Sequence, residues 1–184
     1  MKIMSINAGS SSLKFSLFNM DTKEVLLSGL FERIGIEGSC YTLEYGEYKI
    51  KNEALMETHL DAVKILMDKL LELKIVNSLE EIDGIGHRIV HGGAIYKESV
   101  VVTDKVLDDI IALSDLAPLH NPAHAMCIKA FREVLPNTPM VVVFDTAFHQ
   151  TIEKDRFLYP VPYNWYTDYQ VRKYGAHGTS HRYV

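Results

Sequence analysis

A chain of 184 residues with 47% hydrophobic and 23% charged residues has the make-up of an ordinary globular domain, long enough to bury one good core. Its formal net charge of −5, without a basic block, argues against nucleic acid and anionic membrane as partners. No apolar run approaches the roughly 20 residues of a membrane span, and MKIMSINAGSSS has too short an apolar stretch for a secretory signal, so a soluble cytoplasmic protein is expected.

Lys2 to Phe18 holds two β-prone runs, Ile3–Ile6 and Leu13–Phe18, around the polar loop Asn7-Ala8-Gly9-Ser10-Ser11-Ser12, which reads as a β-hairpin. Its tip offers hydroxyls, a row of backbone N–H groups and Lys14 just behind, a set that suits an anion; ordinary turn chemistry fits the same residues. A third strand is expected over 24–33 and a short hairpin over 35–50. An amphipathic helix over 56–74 carries Leu60, Val63, Leu66, Met67, Leu70 and Leu71 on one stripe. A strand follows over 82–90, closed by Gly92-Gly93, then a strand over 99–102 and a helix over 104–114. Pro122 opens a helix over 122–135. Met140–Phe144 (MVVVF) is a continuous apolar run, as in a strand buried on both faces. Residues 145–174 read as loop-rich, with tyrosines expected to serve as core and interface surface. In Gly178–Val184, hydroxyl residues stand at an N-cap position, so a helix is expected to start there. The two cysteines, Cys40 and Cys127, form no spaced motif and are expected to be free thiols. Strands first and strand–helix alternation later give an α/β class with a mixed β-sheet and flanking helices.

Ligands of open α/β sheets collect outside the strand ends. Asn7 follows the first strand, Arg88 lies near the end of the Gly84–Val90 strand, and Asp145 directly follows MVVVF. A carboxylate there needs a partner, a hydrogen bond or a metal; a turn role through Thr146 fits Asp145 equally well. The fork of Arg88 suits a carboxylate or phosphate, and an internal ion pair would satisfy it too. Six of the eight histidines form H-x-x-x-H pairs: His87/His91, His120/His124 and His177/His181. An extended His87–His91 pair would be roughly 13 Å apart, His120 precedes its helix, and a Gly-Thr-Ser turn separates the third pair. A histidine metal cage is therefore the lesser reading, and His177, flanked by Gly175 and Gly178, is the better ligand contact.

NAGSSSLKF (Asn7–Phe15), GHRIVHGG (Gly86–Gly93), LAPLHNPA (Leu116–Ala123), FDTAFH (Phe144–His149) and YGAHGTSHRYV (Tyr174–Val184) resemble the acetate kinase family in order and spacing. The resemblance covers the whole chain but only the N-terminal half of the family's length. It implies a ribonuclease H-like, actin-like ATPase domain, with residues 1–184 as the N-terminal domain and the C-terminal domain absent. It implies reversible phosphoryl transfer from ATP to acetate, giving acetyl phosphate and ADP, with magnesium, in a homodimeric full enzyme. By the same resemblance, Asn7, Ser10, Ser12 and Lys14 match the phosphate-side loop, with Asn7 also on the metal side. Arg88 matches the arginine that holds acetate or the transferring group, and Val90 and Leu119 line the pocket for the acetyl methyl. His120 and His177 match histidines near the transferring phosphoryl group, and His177 also counts as a nucleotide contact. Asp145 matches the essential carboxylate, and His181 has a structural role.

Such roles fit the chemistry, since phosphoryl transfer asks for positioning and charge stabilisation. Acetate is already ionised at neutral pH, so no base is required. Direct transfer is preferred, and the sequence leaves a phosphoenzyme open. One departure concerns Ala176, where the family commonly has phenylalanine; this opens propionate or butyrate as substrates. The other is the absent second domain, so this half alone is expected to be inactive. A non-catalytic nucleotide-binding switch and a histidine metal protein are the competing readings.

Overall fold

Alternation of apolar and polar residues builds the first two strands and, less regularly, the three that follow. The structure is a computed structural model describing residues 1–184. Strand β1 (Lys2–Ala8) buries Met4, Ile6 and Ala8, and β2 (Ser12–Asn19) buries Leu13, Phe15 and Leu17. Residues between them, among them Asn7 and Lys14, point to the opposite face, as a period of two demands. Strands β3 (Glu24–Glu32), β4 (Cys40–Tyr45) and β5 (Tyr48–Glu53) extend this antiparallel meander.

Helix α1 (His59–Glu72) begins at a capping box, in which the Thr58 hydroxyl accepts from the Asp61 N–H and the Asp61 carboxylate accepts from the Thr58 N–H. Its stripe of Ala62, Val63, Leu66, Met67 and Leu70 is buried. The chain then returns to the sheet as β6 (Gly84–Ile89), parallel to β1. A short β7 (Val100–Val101) leads to α2 (Asp104–Ala112) and α3 (Asn121–Val134), which has proline in its first turn. Strand β8 (Met140–Phe144) inserts parallel to β6 and pairs antiparallel with β7. The sheet order is β5-β4-β3-β2-β1-β6-β8-β7. Helices α1 and α3 pack on each other and over β1, β2 and β6, so one sheet face is buried under helices.

Two sequence expectations are corrected. Strand β8 is not buried on both faces: Met140, Val142 and Phe144 are buried, whereas Val141 and Val143 on the other face are half-buried. Residues 145–174 are loop-rich as expected, with a 3-10 turn (Ala147–His149) and the short helices α4 (Lys154–Phe157) and α5 (Asn164–Tyr169) among the loops. Helix α6 (Gly178–Tyr183) has no hydroxyl cap, because its N-cap is His177 in the left-handed region, at φ 55°. The tyrosines of this region divide, with Tyr159, Tyr163 and Tyr169 exposed and Tyr166 and Tyr174 half-buried. Cys40 and Cys127 are unpaired, and burial pushes the Cys127 thiol up to about 12. No helix is long and apolar enough to cross a membrane.

Candidate active site

Strands β1, β6 and β8 are adjacent and parallel, so their carboxyl ends lie side by side. Each end carries one of the polar groups expected there. Arg88 is the centre. Its Nη2 donates to Asp145 Oδ2 at 2.6 Å, its Nε lies 3.2 and 3.1 Å from Oδ1 and Oδ2, and its Nη1 donates to Asn7 Oδ1 at 3.1 Å. Asp145 is 4% exposed and Arg88 38%, so the carboxylate is buried while the guanidinium keeps an open side. A buried carboxylate needs such a partner.

Asp145 is held from three further directions. Its N–H donates to the Ile89 carbonyl at 2.9 Å, its Oδ1 accepts from the Thr179 hydroxyl at 3.3 Å, and its carbonyl accepts from the Gly178 N–H at 2.9 Å. A β-carbon at Gly178 would sit 2.3 Å from that carbonyl oxygen, so only glycine allows this approach. Thr146, the alternative partner for Asp145, instead accepts from the Gly92 N–H at 3.0 Å and ties the loop after β6 to the end of β8.

The hairpin tip is tight: the Gly9 N–H donates to the Ser12 carbonyl at 2.8 Å. The Gly9 carbonyl accepts from His59 Nε2 at 2.8 Å, which ties the tip to the start of α1. Ser10 is exposed, Ser12 half-buried, and Lys14 exposed beside Asn7 in the strand register. The structure therefore puts Asn7, Arg88 and Asp145 in one hydrogen-bonded group with Lys14 one strand away.

The remaining candidates are placed around this group. Val90 is half-buried, and its N–H reaches His124 Nδ1 at 3.4 Å. His120 is the exposed N-cap of α3, and Leu119 beside it is 78% exposed. His177 is exposed at the start of α6. His181 Nδ1 lies 3.1 Å from His149 Nε2, whose hydrogen also points to the Ala176 carbonyl at 3.0 Å. The rings of His120 and His124, and those of His177 and His181, are each 6.4 Å apart. No group of three or more His, Cys, Asp or Glu side chains is arranged to hold a metal ion.

Beneath the site lie two neutral histidines. Burial, with the Arg88 charge second, lowers His124 to about 4, and burial lowers His87 to about 3. Sequence reasoning overlooked His59 and also Asn121. Asn121 is fully buried; its Nδ2 donates to the His91 and Ile110 carbonyls at 3.0 and 3.2 Å, and its Oδ1 accepts from the His91 N–H at 3.2 Å. Residue type alone did not signal it, because its partners lie far away in sequence, after β6 and in the last turn of α2. A cavity of about 700 Å³ lies next to the group and not on it; it is lined by Val143, Phe148, His149, Thr179 and Arg182 among others. The Arg88 guanidinium itself keeps its exposed side outside that cavity, whose lining does not include it.

The sequence profile of the Acetokinase family matches residues 2–184. The chain belongs to this family. The acetate kinase of Anoxybacillus flavithermus is 57% identical over the whole of the chain, which spans 46% of that relative. Among solved structures, the acetate kinase of Porphyromonas gingivalis superposes with a TM-score of 0.93 at 40% identity, covering 98% of this chain and 46% of that one. A propionate kinase from Francisella tularensis superposes with a TM-score of 0.93 at 43% identity, covering 100% and 47%. The chain thus spans about half the length of the acetokinase relatives it matches, and its fold is that of one domain of an actin-like ATPase.

Proposed function

We propose that residues 1–184 are the N-terminal domain of a carboxylate kinase that moves the terminal phosphoryl group of ATP to acetate. The observation that carries this reading is the Asn7–Arg88–Asp145 row at three adjacent parallel strand ends, with the open side of Arg88 beside the Asn7 amide. An oxygen of acetate forms the new bond to phosphorus while the bridging bond to ADP breaks, and acetyl phosphate and ADP leave. Arg88 holds acetate or the equatorial oxygens of the transferring group. Asp145 fixes the plane of the Arg88 fork, and His120 or His177 adds a donor from the rim.

Asn7, Ser10, Ser12 and Lys14 meet the phosphates, and Val90 and Leu119 face the acetyl methyl. Magnesium keeps most of its shell as water and phosphate and needs few protein oxygens. Asn7 Oδ1, which already accepts from Arg88 Nη1, would use its second lone pair as the one protein oxygen of such a sparse donor set, and the ion, when bound, would neutralise phosphate charge. The nucleotide's remaining contacts come from the rest of a full-length chain, so residues 1–184 alone are inactive. The whole enzyme works as a cytoplasmic homodimer. Ala176, small and exposed, favours a second reading in which propionate or butyrate is also accepted.

The test is acyl phosphate formation, trapped with hydroxylamine, on the 184-residue chain and on a chain of the relatives' full length. Turnover by the long form only, abolished in Arg88→Ala, supports both the kinase and the half-enzyme readings. Inactivity of the long form on acetate, propionate and butyrate defeats the first, and turnover by the short chain defeats the second.

A further inference from the structure

The residue rows that cross the sheet continue well past Asn7. Lys14 is opposite Leu30, Leu30 opposite Thr42, and Thr42 opposite Lys51. In the neighbouring row Ser28 is opposite Glu44 and Glu44 opposite Lys49. All project from the helix-free face, because their strand neighbours Leu13, Phe15, Phe31, Tyr41 and Leu43 are buried on the other. Lys14, Ser28, Thr42, Glu44, Lys49 and Lys51 line a groove of about 410 Å³.

The charge of this groove is opposite to that of the whole protein. Three lysines meet one carboxylate. Glu44 pairs with Lys49 at 2.6 Å, and the chain's other ion pairs involve neither Lys14 nor Lys51. Lysines on an edge strand deter pairing with another sheet, which accounts for Lys49 and Lys51 on β5. That account does not reach Lys14, three strands inside the sheet, nor the hydroxyls of Ser28 and Thr42 between the lysines.

We propose that this groove is a second anion site, for a small ligand carrying two or more phosphate groups. Lys14 and Lys51 are three strand spacings apart, roughly 14 Å at the backbone, and their flexible stems bring both ammonium groups over the groove. A single phosphate would engage one end; a chain of phosphates spans both, with hydroxyl donors below it. The site meets the strand-end group at Lys14 but needs only charge and shape, so it does not rest on the phosphoryl-transfer reading.

The test titrates the isotope-labelled chain with inorganic tripolyphosphate, orthophosphate and citrate, following backbone amide resonances. The expected result is a shift at Ser28, Thr42 and Lys51 with tripolyphosphate, weakened by added salt. Affinity should fall about tenfold in Lys49→Gln/Lys51→Gln and return in Lys49→Arg/Lys51→Arg. Both positions are exposed, so neither variant endangers the fold. Shifts confined to Asn7–Lys14 and Arg88, or an unchanged affinity in the glutamine variant, would overturn the proposal. So would orthophosphate or citrate binding as tightly as tripolyphosphate.

Discussion

Arg88 and Asp145, 57 residues apart in the chain, form a forked ion pair across the neighbouring parallel strands β6 and β8, with Nη2 and Oδ2 2.6 Å apart. The two ends of this pair are unequally exposed, which decides what each substitution does.

Removing Arg88 leaves the Asp145 carboxylate buried without its counter-charge. Arg88→Ala should lower stability by about 2 kcal/mol, less than for a fully buried pair because the guanidinium is partly solvated. In urea unfolding, Arg88→Ala/Asp145→Ala should be destabilised by less than the two single variants summed. Strict additivity would mean that the pair is not coupled.

Gly178→Ala should detach helix α6 from the end of β8. The added methyl has no room beside the Asp145 carbonyl, so the Gly178 N–H bond to it must open. Amides of residues 178–183 should exchange roughly tenfold faster, while those of β1 to β5 stay unchanged. Unaltered protection in α6 would contradict the close packing described above.

Acid should weaken the fold through His87 and His124. Both bind a proton less readily when folded than the ordinary 6.5, at about 3 and about 4. The unfolded chain therefore takes up more protons as pH falls. Their contribution is complete above about 6.5 and is lost downward to about 4 for His124 and about 3 for His87, at about 1.4 kcal/mol per pH unit per group. His87→Phe and His124→Gln should each flatten the slope of stability against pH between 6 and 4; a slope equal to that of the parent would remove the assignment.

His59 should matter to the hairpin tip more than to the core. Its Nε2–H closes on the Gly9 carbonyl, so His59→Ala should cost about 1 kcal/mol and His59→Gln less. Hydrogen exchange at Gly9 to Ser12 would show the loosening directly.

The hairpins and long helices were legible because each carries its own period: alternation in β1 and β2, the apolar stripe in α1, the proline at the start of α3. MVVVF has no period, so its half-buried side at Val141 and Val143 could not be read; that side depends on what covers the sheet. Helices α4 and α5 are too short to carry a stripe. Long-range contacts hold this region, such as the Arg172 guanidinium 3.6 Å from the centre of the Phe157 ring. At the site, Asn7, Arg88 and Asp145 could be named from their places at strand ends. Their bonding to one another could not, because it follows from the order β1-β6-β8, to which no local pattern points. His59 and Asn121 escaped because each serves a distant loop through backbone carbonyls, a role that residue type does not signal.

The strand order also sets a sequence of events in time. The meander β1 to β5 joins neighbours through short turns, whereas the bonds from Arg88 to Asn7 and Asp145 close loops of 81 and 57 residues. Longer loops cost more chain entropy before any contact rewards them. In refolding followed by pulsed hydrogen exchange, β1 to β5 should gain protection ahead of β6 and β8. The chain would then have a sheet before it has the Asn7–Arg88–Asp145 group, and a ribosome must deliver Asp145 before the ion pair can form at all.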